Sequence, residues 1–180
     1  MKILKPLGLA LVLISIACND KNHVSQENLS TASNESNSND GKLYHLIKKN
    51  DSLLFQIGFN QIDTSQVAKL IADNFEFYHD KHGITPGKNS FLNSINSLRD
   101  LPFKTWRILI NESMEVFPLY TDNSQLLYGA IQNGIHDFYQ QKEGQKARKT
   151  STAKFTHLWI IEDGEWKLKC VLSYDHKSPQ

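Results

Sequence analysis

The dipeptide His79-Asp80 is the clearest pairing of acid–base side chains in the sequence. It ends a segment, residues 74–80, whose odd positions are apolar up to His79, and this alternation predicts a β-strand. A carboxylate or an imidazole at a pocket mouth can abstract a proton next to a carbonyl, which makes Asp80 and His79 the candidate catalytic residues. The alternation places the two side chains on opposite faces, however. This favours a structural alternative, in which Asp80 caps the following loop and His79 is a hydrogen-bonded, partly buried histidine.

A second group of polar side chains lies on the last three predicted strands. Asp163-Gly164 is a type I′ turn signal between two β-rich runs, and a two-residue turn there pairs His157 with Cys170 and Ala153 with Tyr174. This register collects the mostly aromatic residues of both strands on one inward face, with a few polar groups among them. Such a pocket is the default ligand site, and the alternative is a hydrogen-bonded set that orders the core. The predicted pocket residues are His157, Trp159, Tyr174, His176, Tyr128 and His136.

Three histidines in one pocket also suggest a metal, because zinc accepts three imidazoles and a water molecule. No local spacing such as H-E-x-x-H occurs, and His157 and His176 are far apart along their strands. Phosphate-binding glycine motifs, nucleophile elbows and Cys-His pairs are also missing, which argues against most hydrolases and nucleotide-dependent enzymes. The sequence therefore predicts neither a metal nor a cofactor.

Helices precede the strands that carry these residues. A cap at Asn50 or Asp51 is expected to begin the first helix, Thr64 the second, and a third follows with Phe91 and Ile95 on one side. Helices followed by a long antiparallel meander predict an α+β fold with the helices against one sheet face. Among the later strands, Trp106, Ile108 and Ile110 alternate with Arg107 and Asn111, as in a strand with one apolar face.

The order helix, helix, strand, helix and then four or five strands resembles the nuclear transport factor 2-like superfamily, which includes SnoaL-like polyketide cyclases and ketosteroid isomerases. Residues 51–63, 75–83 and above all 153–176 carry the resemblance, and the closer match is to small bacterial domains of unknown function. It covers about residues 43–177. The resemblance implies a cone-shaped α+β barrel, with three N-terminal helices packed on a strongly bent, mostly antiparallel sheet around one deep pocket. It also implies that Asp80 occupies the general-base position of ketosteroid isomerase-like enzymes, although the superfamily has no single activity.

The N-terminus has the form of an export signal. Lys2 and Lys5 precede an apolar run, residues 7–17, that is shorter than the roughly 20 residues of a membrane-spanning helix. Ala17-Cys18, followed directly by a polar segment, resembles a bacterial lipobox, in which the cysteine is diacylated. The alternative is an ordinary secretory peptide with an incidental cysteine.

The predicted organisation has three parts. Residues 1–17 are a lipoprotein signal peptide, 18–41 are the lipidated Cys18 and a disordered polar tether, and 42–180 are one folded domain. The protein is therefore expected in the cell envelope, anchored to a membrane through Cys18 and facing the periplasm or the exterior. Cys170 lies in an apolar strand pattern and is expected to be a small buried residue.

Charge and surface pattern define the expected partners. The chain has 20 basic and 19 acidic residues, so it lacks the strongly basic face that nucleic-acid binding requires. Leu158, Ile160 and Val171 are predicted to face outward among Lys and Thr, which favours a homodimer through the sheet face. The predicted function is to bind a small apolar or mixed-polarity ligand. The alternatives are an acid–base isomerase, cyclase or dehydratase with Tyr174 or His176 as proton donor, and a non-catalytic envelope interaction domain.

Overall fold

The computed structural model describes residues 40–123 and 125–179, so Cys18, the predicted signal peptide and most of the predicted tether lie outside the described residues. An α-helix over residues 40–52 continues without a break into a π-helical segment, Leu53–Phe59, and the two together are α1. The other helices are α2 (Thr64–Leu70) and α3 (Lys88–Asn96). Within the described ranges, no helix is both long enough and apolar enough to cross a membrane.

Seven strands form one sheet on which the helices pack. They are β1 (Ile71–His79), β2 (Gly83–Pro86), β3 (Lys104–Leu109), β4 (Glu115–Tyr120), β5 (Leu127–Gln141), β6 (Arg148–Glu162) and β7 (Glu165–Lys177). The sheet order is β2-β1-β7-β6-β5-β3, and β4 also pairs with β5. Only β1 and β7 run parallel among these pairs, so the predicted α+β fold with a mostly antiparallel sheet is confirmed.

The core lies between the helices and the concave side of this sheet. Residues that are almost fully buried come from every layer, and they include Ile47, Leu54, Val67, Ile71, Phe75, Phe155, Trp159 and Leu168. The first two helices approach each other closely at Gly58, where an added Cβ would lie 2.4 Å from Cγ2 of Val67. A glycine is therefore required where α1 crosses α2.

The predicted register of the last hairpin is correct next to its turn and wrong beyond it. Trp159 pairs with Leu168 as expected, but Lys169 is an extra residue on β7, and His157 then pairs with Val171 instead of Cys170. Such a β-bulge reverses the inward and outward positions of the strand that follows it. Cys170 and the residues in phase with it therefore point away from the core. Val171, which was predicted to face outward, is 6% exposed and points into the core.

A second irregularity restores the original phase near the end of β7. Lys154 pairs with Tyr174 and Thr152 with Lys177, and Asp175 between them has a φ of +58°. His176 consequently turns back to the inner side, where its side chain is 6% exposed. The two bulges together explain why Tyr174 is exposed and His176 is not.

The helix starts also differ from the predicted caps. Helix α1 is already formed at residue 40, so Asp51 is not a cap but a buried residue within it. Asp63, and not Thr64, caps α2, because its carboxylate accepts a hydrogen bond from the backbone N–H of Gln66. The first prediction was wrong because residues 40–49 join the helix and bury Leu43 and Ile47 in the core.

Candidate functional site

A cavity of about 360 Å³ lies between α1, α3 and the sheet. Six aromatic rings from the helices, the sheet and a loop line it: Phe55, Phe59, Phe77, Phe91, Phe103 and Phe138. A cavity of this size, mostly apolar and with a few polar groups in its wall, has the character of a small-molecule site.

Two histidines supply the buried polar part of this wall. His136 on β5 and His157 on β6 line the cavity, and they are 3% and 0% exposed. In each ring the Nε2 atom is buried without a hydrogen-bond partner in the described part of the chain. Leaving a buried polar atom unpaired costs about 1–3 kcal/mol, so two such atoms in one cavity wall are functionally suggestive.

Gly134 allows the two imidazoles to share one aromatic neighbour. The ring of Phe155 lies 5.0 Å from the ring of His136 and 4.3 Å from that of His157, centroid to centroid. A Cβ on Gly134 would come within 2.7 Å of the Phe155 ring. The absence of a side chain at this position therefore leaves room for the aromatic ring against the sheet.

A buried ion pair between Arg107 and Asp51 contacts the histidines of the cavity wall. Arg107 on β3 donates from Nη1 and Nη2 to the two carboxylate oxygens of Asp51 on α1, at 2.6 and 3.1 Å. Its Nε donates to Nδ1 of His136 at 3.1 Å. The guanidinium also lies 3.9 Å from the ring centroid of Phe55, a cation–π contact.

Gln132 connects the same carboxylate to the second histidine. Its Nε2 donates to Oδ1 of Asp51 at 3.0 Å, and its Oε1 lies 3.0 Å from Nδ1 of His157. The same Oε1 accepts a hydrogen bond from the indole N–H of Trp159 at 2.9 Å. Trp159 is thus fully buried behind the cavity wall, where it orients Gln132.

Burial keeps both histidines neutral. Loss of solvent, followed by the nearby positive charge of Arg107, lowers the pKa of His136 to about 2. The same two causes hold the pKa of His157 well below its usual value. Neither ring accepts a proton readily at neutral pH, so the pair is suited to hydrogen bonding and poorly suited to general-base catalysis.

A more exposed polar cluster lies at the solvent side of the cavity. The rings of His79 and His176 stack with centroids 4.3 Å apart and an interplanar angle of 15°, and His82 lies 4.3 Å from His79. Burial, together with the charges of His176 and His82, lowers the pKa of His79 to about 4. Of these histidines, His79 and His82 line the cavity.

Asp80 holds this cluster in place. Its Oδ1 lies 2.6 Å from Nδ1 of His176, and its Oδ2 accepts from the backbone N–H of the same residue at 3.1 Å. Although partial desolvation favours the neutral acid, these hydrogen bonds lower the pKa of Asp80. The carboxylate lines a shallow outer groove with Tyr78 and Tyr174, so its placement favours a structural role.

The same cluster has some of the donor atoms of a metal site. His79, Asp80 and His176 each have one potential ligand atom within 4.8 Å of the others. The lone pairs of imidazole nitrogens lie in the ring planes, and the rings of His79 and His176 are stacked nearly parallel. Their lone pairs therefore do not converge on one point, and the arrangement is that of a hydrogen-bonded stack.

The other predicted pocket residues lie elsewhere. Tyr174 is 39% exposed on the outer face because of the bulge at Lys169, and Tyr128 is 43% exposed. His176 stacks on His79 but is not itself part of the cavity wall described above. Of the predicted site residues, His136, His157 and His79 line the cavity.

Sequence reasoning missed Asp51, Arg107 and Gln132. On β3 the apolar neighbours were expected inside, yet Arg107 is 4% exposed and Ile108 is 48% exposed, because the guanidinium pairs with Asp51. For Gln132 a signal did exist, since it shares the parity of Ala130 and His136 along β5.

A larger groove, of about 950 Å³, lies near Arg99, Lys104 and the loop at residues 141–144. Most of these side chains are exposed. None of the lining residues has a buried polar atom without a partner within the described ranges. The smaller cavity has two such atoms in its wall, on His136 and His157, and is the better candidate site.

Comparison with known proteins identifies the architecture. No family model and no curated protein matches the sequence. Among solved structures, a nuclear transport factor 2-like superfamily protein from Salmonella enterica serovar Typhimurium LT2 superposes with a TM-score of 0.59 at 13% identity, over 78% of this chain and 93% of that one. The chain has the nuclear transport factor 2-like fold.

Two further structures share this fold. ActVI-ORFA from Streptomyces coelicolor has a TM-score of 0.60 at 10% identity, over 76% of this chain and 98% of the other. A protein from Catenulispora acidiphila, solved in complex with S-DNPA, has a TM-score of 0.60 at 8% identity, over 74% and 94% of the two chains. At these identities the similarity establishes the fold alone.

Proposed function

We propose that this protein binds a small, largely apolar molecule in the cavity between its helices and its sheet. The observation that carries the proposal is the pair of buried Nε2 atoms, on His136 and His157, that have no partner within the described residues. A ligand with a polar group at this wall would supply the missing hydrogen bonds while its apolar part contacts the surrounding rings.

The volume and the charge of the cavity define the ligand class. About 360 Å³ accommodates a molecule of two or three fused or linked rings, and the wall is mainly apolar. Both wall histidines are neutral at neutral pH, so a ligand that is uncharged at this end is favoured.

Native mass spectrometry of the 180-residue chain carrying Cys18→Ser, purified gently from bacteria, tests the proposal. An added mass that is lost on denaturation is expected. Val171→Trp should abolish it, because Val171 lines the cavity, whereas Leu172→Trp should not, because Leu172 is the next residue on β7 and is 41% exposed. Equal occupancy in both variants would place the ligand outside this cavity and contradict the proposal.

Catalysis in the same cavity is a second possibility that rests on His79. Its lowered pKa leaves the ring unprotonated at neutral pH, and it lies in the cavity wall. Asp80 is hydrogen-bonded to His176, whereas Nδ1 of His79 accepts from the backbone N–H of Lys81 and its Nε2 lies 3.3 Å from Nδ1 of His82. If the cavity is catalytic, His79→Gln should remove turnover of a bound compound, and Asp80→Asn should act only through misplacement of His176.

We further propose that the domain is held at a membrane by a lipid on Cys18. The support is the basic and apolar leader followed by Ala17-Cys18. Growth with an alkyne-labelled fatty acid should label the chain, and Cys18→Ser should remove the label. Label that persists in the variant would exclude Cys18 as the attachment site.

We also propose a homodimer through the outer face of the sheet. Ile84, Tyr78 and Leu172 form a row of exposed apolar side chains across three neighbouring strands, with exposed fractions of 62%, 36% and 41%. Rows of this kind are typical of protein contacts. Leu172→Glu should convert a dimer to a monomer in sedimentation, whereas the same change at exposed Ile108 should not.

A further inference from the structure

The side chains of Ser173, His176 and Asp80 form a hydrogen-bonded chain at the solvent side of the cavity. Nδ1 of His176 lies 2.6 Å from Oδ1 of Asp80, and Nε2 of the same ring lies 3.4 Å from Oγ of Ser173. An ionised carboxylate only accepts hydrogen bonds, so the proton of the neutral imidazole is on Nδ1. The bare Nε2 atom is then the acceptor for the hydroxyl of Ser173.

The backbones of β7 and β1 bring these three side chains together. In a regular strand Ser173 and His176 would point to opposite faces, because they are three positions apart. The left-handed backbone of Asp175, with a φ of +58°, turns His176 back to the side of Ser173. Ser173 pairs with His79 on β1, and its carbonyl accepts from the backbone N–H of Asp80 at 3.1 Å. The carboxylate is therefore held next to the imidazole by backbone as well as side-chain contacts.

The hydroxyl of Ser173 differs in its partner from that of another serine in the same wall. Both Ser173 and Ser94 line the cavity, but Ser94 donates to the backbone carbonyl of Phe91 at 2.7 Å. An imidazole can take the proton of a hydroxyl, whereas a backbone carbonyl cannot. The 3.4 Å contact of Ser173 is within the looser range found before a substrate binds.

We propose that Ser173 is a nucleophile that attacks the carbonyl carbon of an apolar ester. His176 is its general base, and Asp80 is a positioning residue that holds the imidazole in the reactive tautomer. This step goes beyond the proposed binding function and needs neither His136 nor His157. The mainly apolar wall favours an ester without a charge near the reacting group.

The reaction consists of two balanced transfers. Oγ of Ser173 bonds to the acyl carbon as its proton passes to Nε2 of His176, and the ester C–O bond breaks as that proton passes to the leaving alcohol. Water then attacks the acyl-serine by the same route and releases the carboxylic acid. The transient imidazolium has the carboxylate of Asp80 at Nδ1 and the ring of His79 against its face, and His79 is neutral because burial above all lowers its pKa to about 4.

An alkyl fluorophosphonate tests the nucleophile on the folded 180-residue chain carrying Cys18→Ser. Attack by a serine displaces fluoride, as the hydroxyl proton passes to the base, and leaves a stable phosphonyl adduct. Digestion with trypsin should give a labelled peptide of residues 170–177, and its fragmentation should place the adduct on Ser173 and not on Tyr174. The chain unfolded in urea should not react, because the three side chains are then apart.

Variants separate the three roles. Ser173→Ala should lose the adduct, whereas Ser94→Ala should keep it, because the hydroxyl of Ser94 is bonded to a carbonyl. His176→Gln should slow labelling roughly 100-fold or more, which is the usual scale of general-base catalysis. Asp80→Asn should also slow it, and Asp80→Glu should restore part of the rate, because the second carboxylate can again orient the imidazole.

The outcomes distinguish this inference from the proposed function. If the folded chain forms no adduct on Ser173, or the unfolded chain reacts equally fast, the inference is overturned. A bound mass in native spectra without such an adduct would overturn it and leave the proposed function standing. An adduct on Ser173 without a bound mass would support the nucleophile and contradict the proposed function. Equal rates in Asp80→Asn and Asp80→Glu would overturn the role of Asp80.

Discussion

Asp51 and Arg107 form a two-point ion pair that is almost completely buried, although 56 residues separate them in the chain. The pair joins α1 to β3. Arg107 also donates a hydrogen bond to His136, and Asp51 is connected to His157 through the side chain of Gln132. The ion pair therefore links the first helix and the third strand to both histidines of the cavity wall.

Removal of one partner should be costly. Asp51→Asn leaves the guanidinium of Arg107 buried without its counter-ion, and we expect a loss of about 3–5 kcal/mol in the free energy of unfolding. Urea unfolding followed by circular dichroism measures it. Asp73→Asn, which breaks the exposed pair with Lys88, is the control and should leave the unfolding midpoint nearly unchanged. Similar small losses in both variants would show that the buried pair has little role in stability.

Stability should fall as the pH falls from about 6.5 to 4. The pKa of His79 in the folded protein is about 4, whereas its ordinary value is 6.5. Below pH 6.5 the unfolded chain therefore binds a proton at His79 that the folded protein does not bind. The penalty grows until the pH reaches the folded pKa. His79→Gln should reduce the slope of the unfolding free energy against pH in this window. The control variant is His45→Gln, because His45 is an exposed residue of α1. An unchanged slope would mean that the pKa of His79 is the same in the folded and the unfolded state.

Gly134 should tolerate no side chain. Gly134→Ala brings a methyl group against the Phe155 ring, and we expect about 1–3 kcal/mol of destabilisation from overpacking. Gly41→Ala is the matched control, because a Cβ there meets nothing within 4 Å and the residue is helical. If the two variants unfold at the same urea concentration, the ring of Phe155 is free to move aside.

Cys170 should react slowly although it points outward. Burial and then the negative charge of Glu76 raise the pKa of its thiol, so little thiolate is present at neutral pH. In the Cys18→Ser chain, disulfide exchange with a chromogenic reagent at pH 8 should be slower than for free cysteine, and Glu76→Gln should accelerate it. A complete lack of reaction until unfolding would instead indicate the inward orientation that the sequence suggested.

The order of helices and strands was predictable because it follows from local periodicity and turn chemistry. The strand register of the hairpin at Asp163-Gly164 was predicted correctly up to Lys169 for the same reason. Beyond it, the bulges at Lys169 and Asp175 depend on how β7 meets β1 as well as β6, which no local pattern reports.

The site was predictable only in part, for a related reason. His157 lies on β6, whose inward face the hairpin pattern indicates, and His136 lies on the neighbouring strand β5. The groups that contact their Nδ1 atoms are not local, since Arg107 interrupts an apolar pattern and its partner Asp51 lies on a helix. A buried ion pair between distant elements has no signature in one sequence.

The most direct measurement is native mass spectrometry of the Cys18→Ser chain, purified gently from bacteria, beside its Val171→Trp and Leu172→Trp variants. An added mass that is lost on denaturation is predicted in the Cys18→Ser chain and in Leu172→Trp. The same mass should be missing in Val171→Trp, because the larger side chain fills the cavity. If Val171→Trp retains the added mass, the ligand lies outside the cavity and the proposed function is wrong.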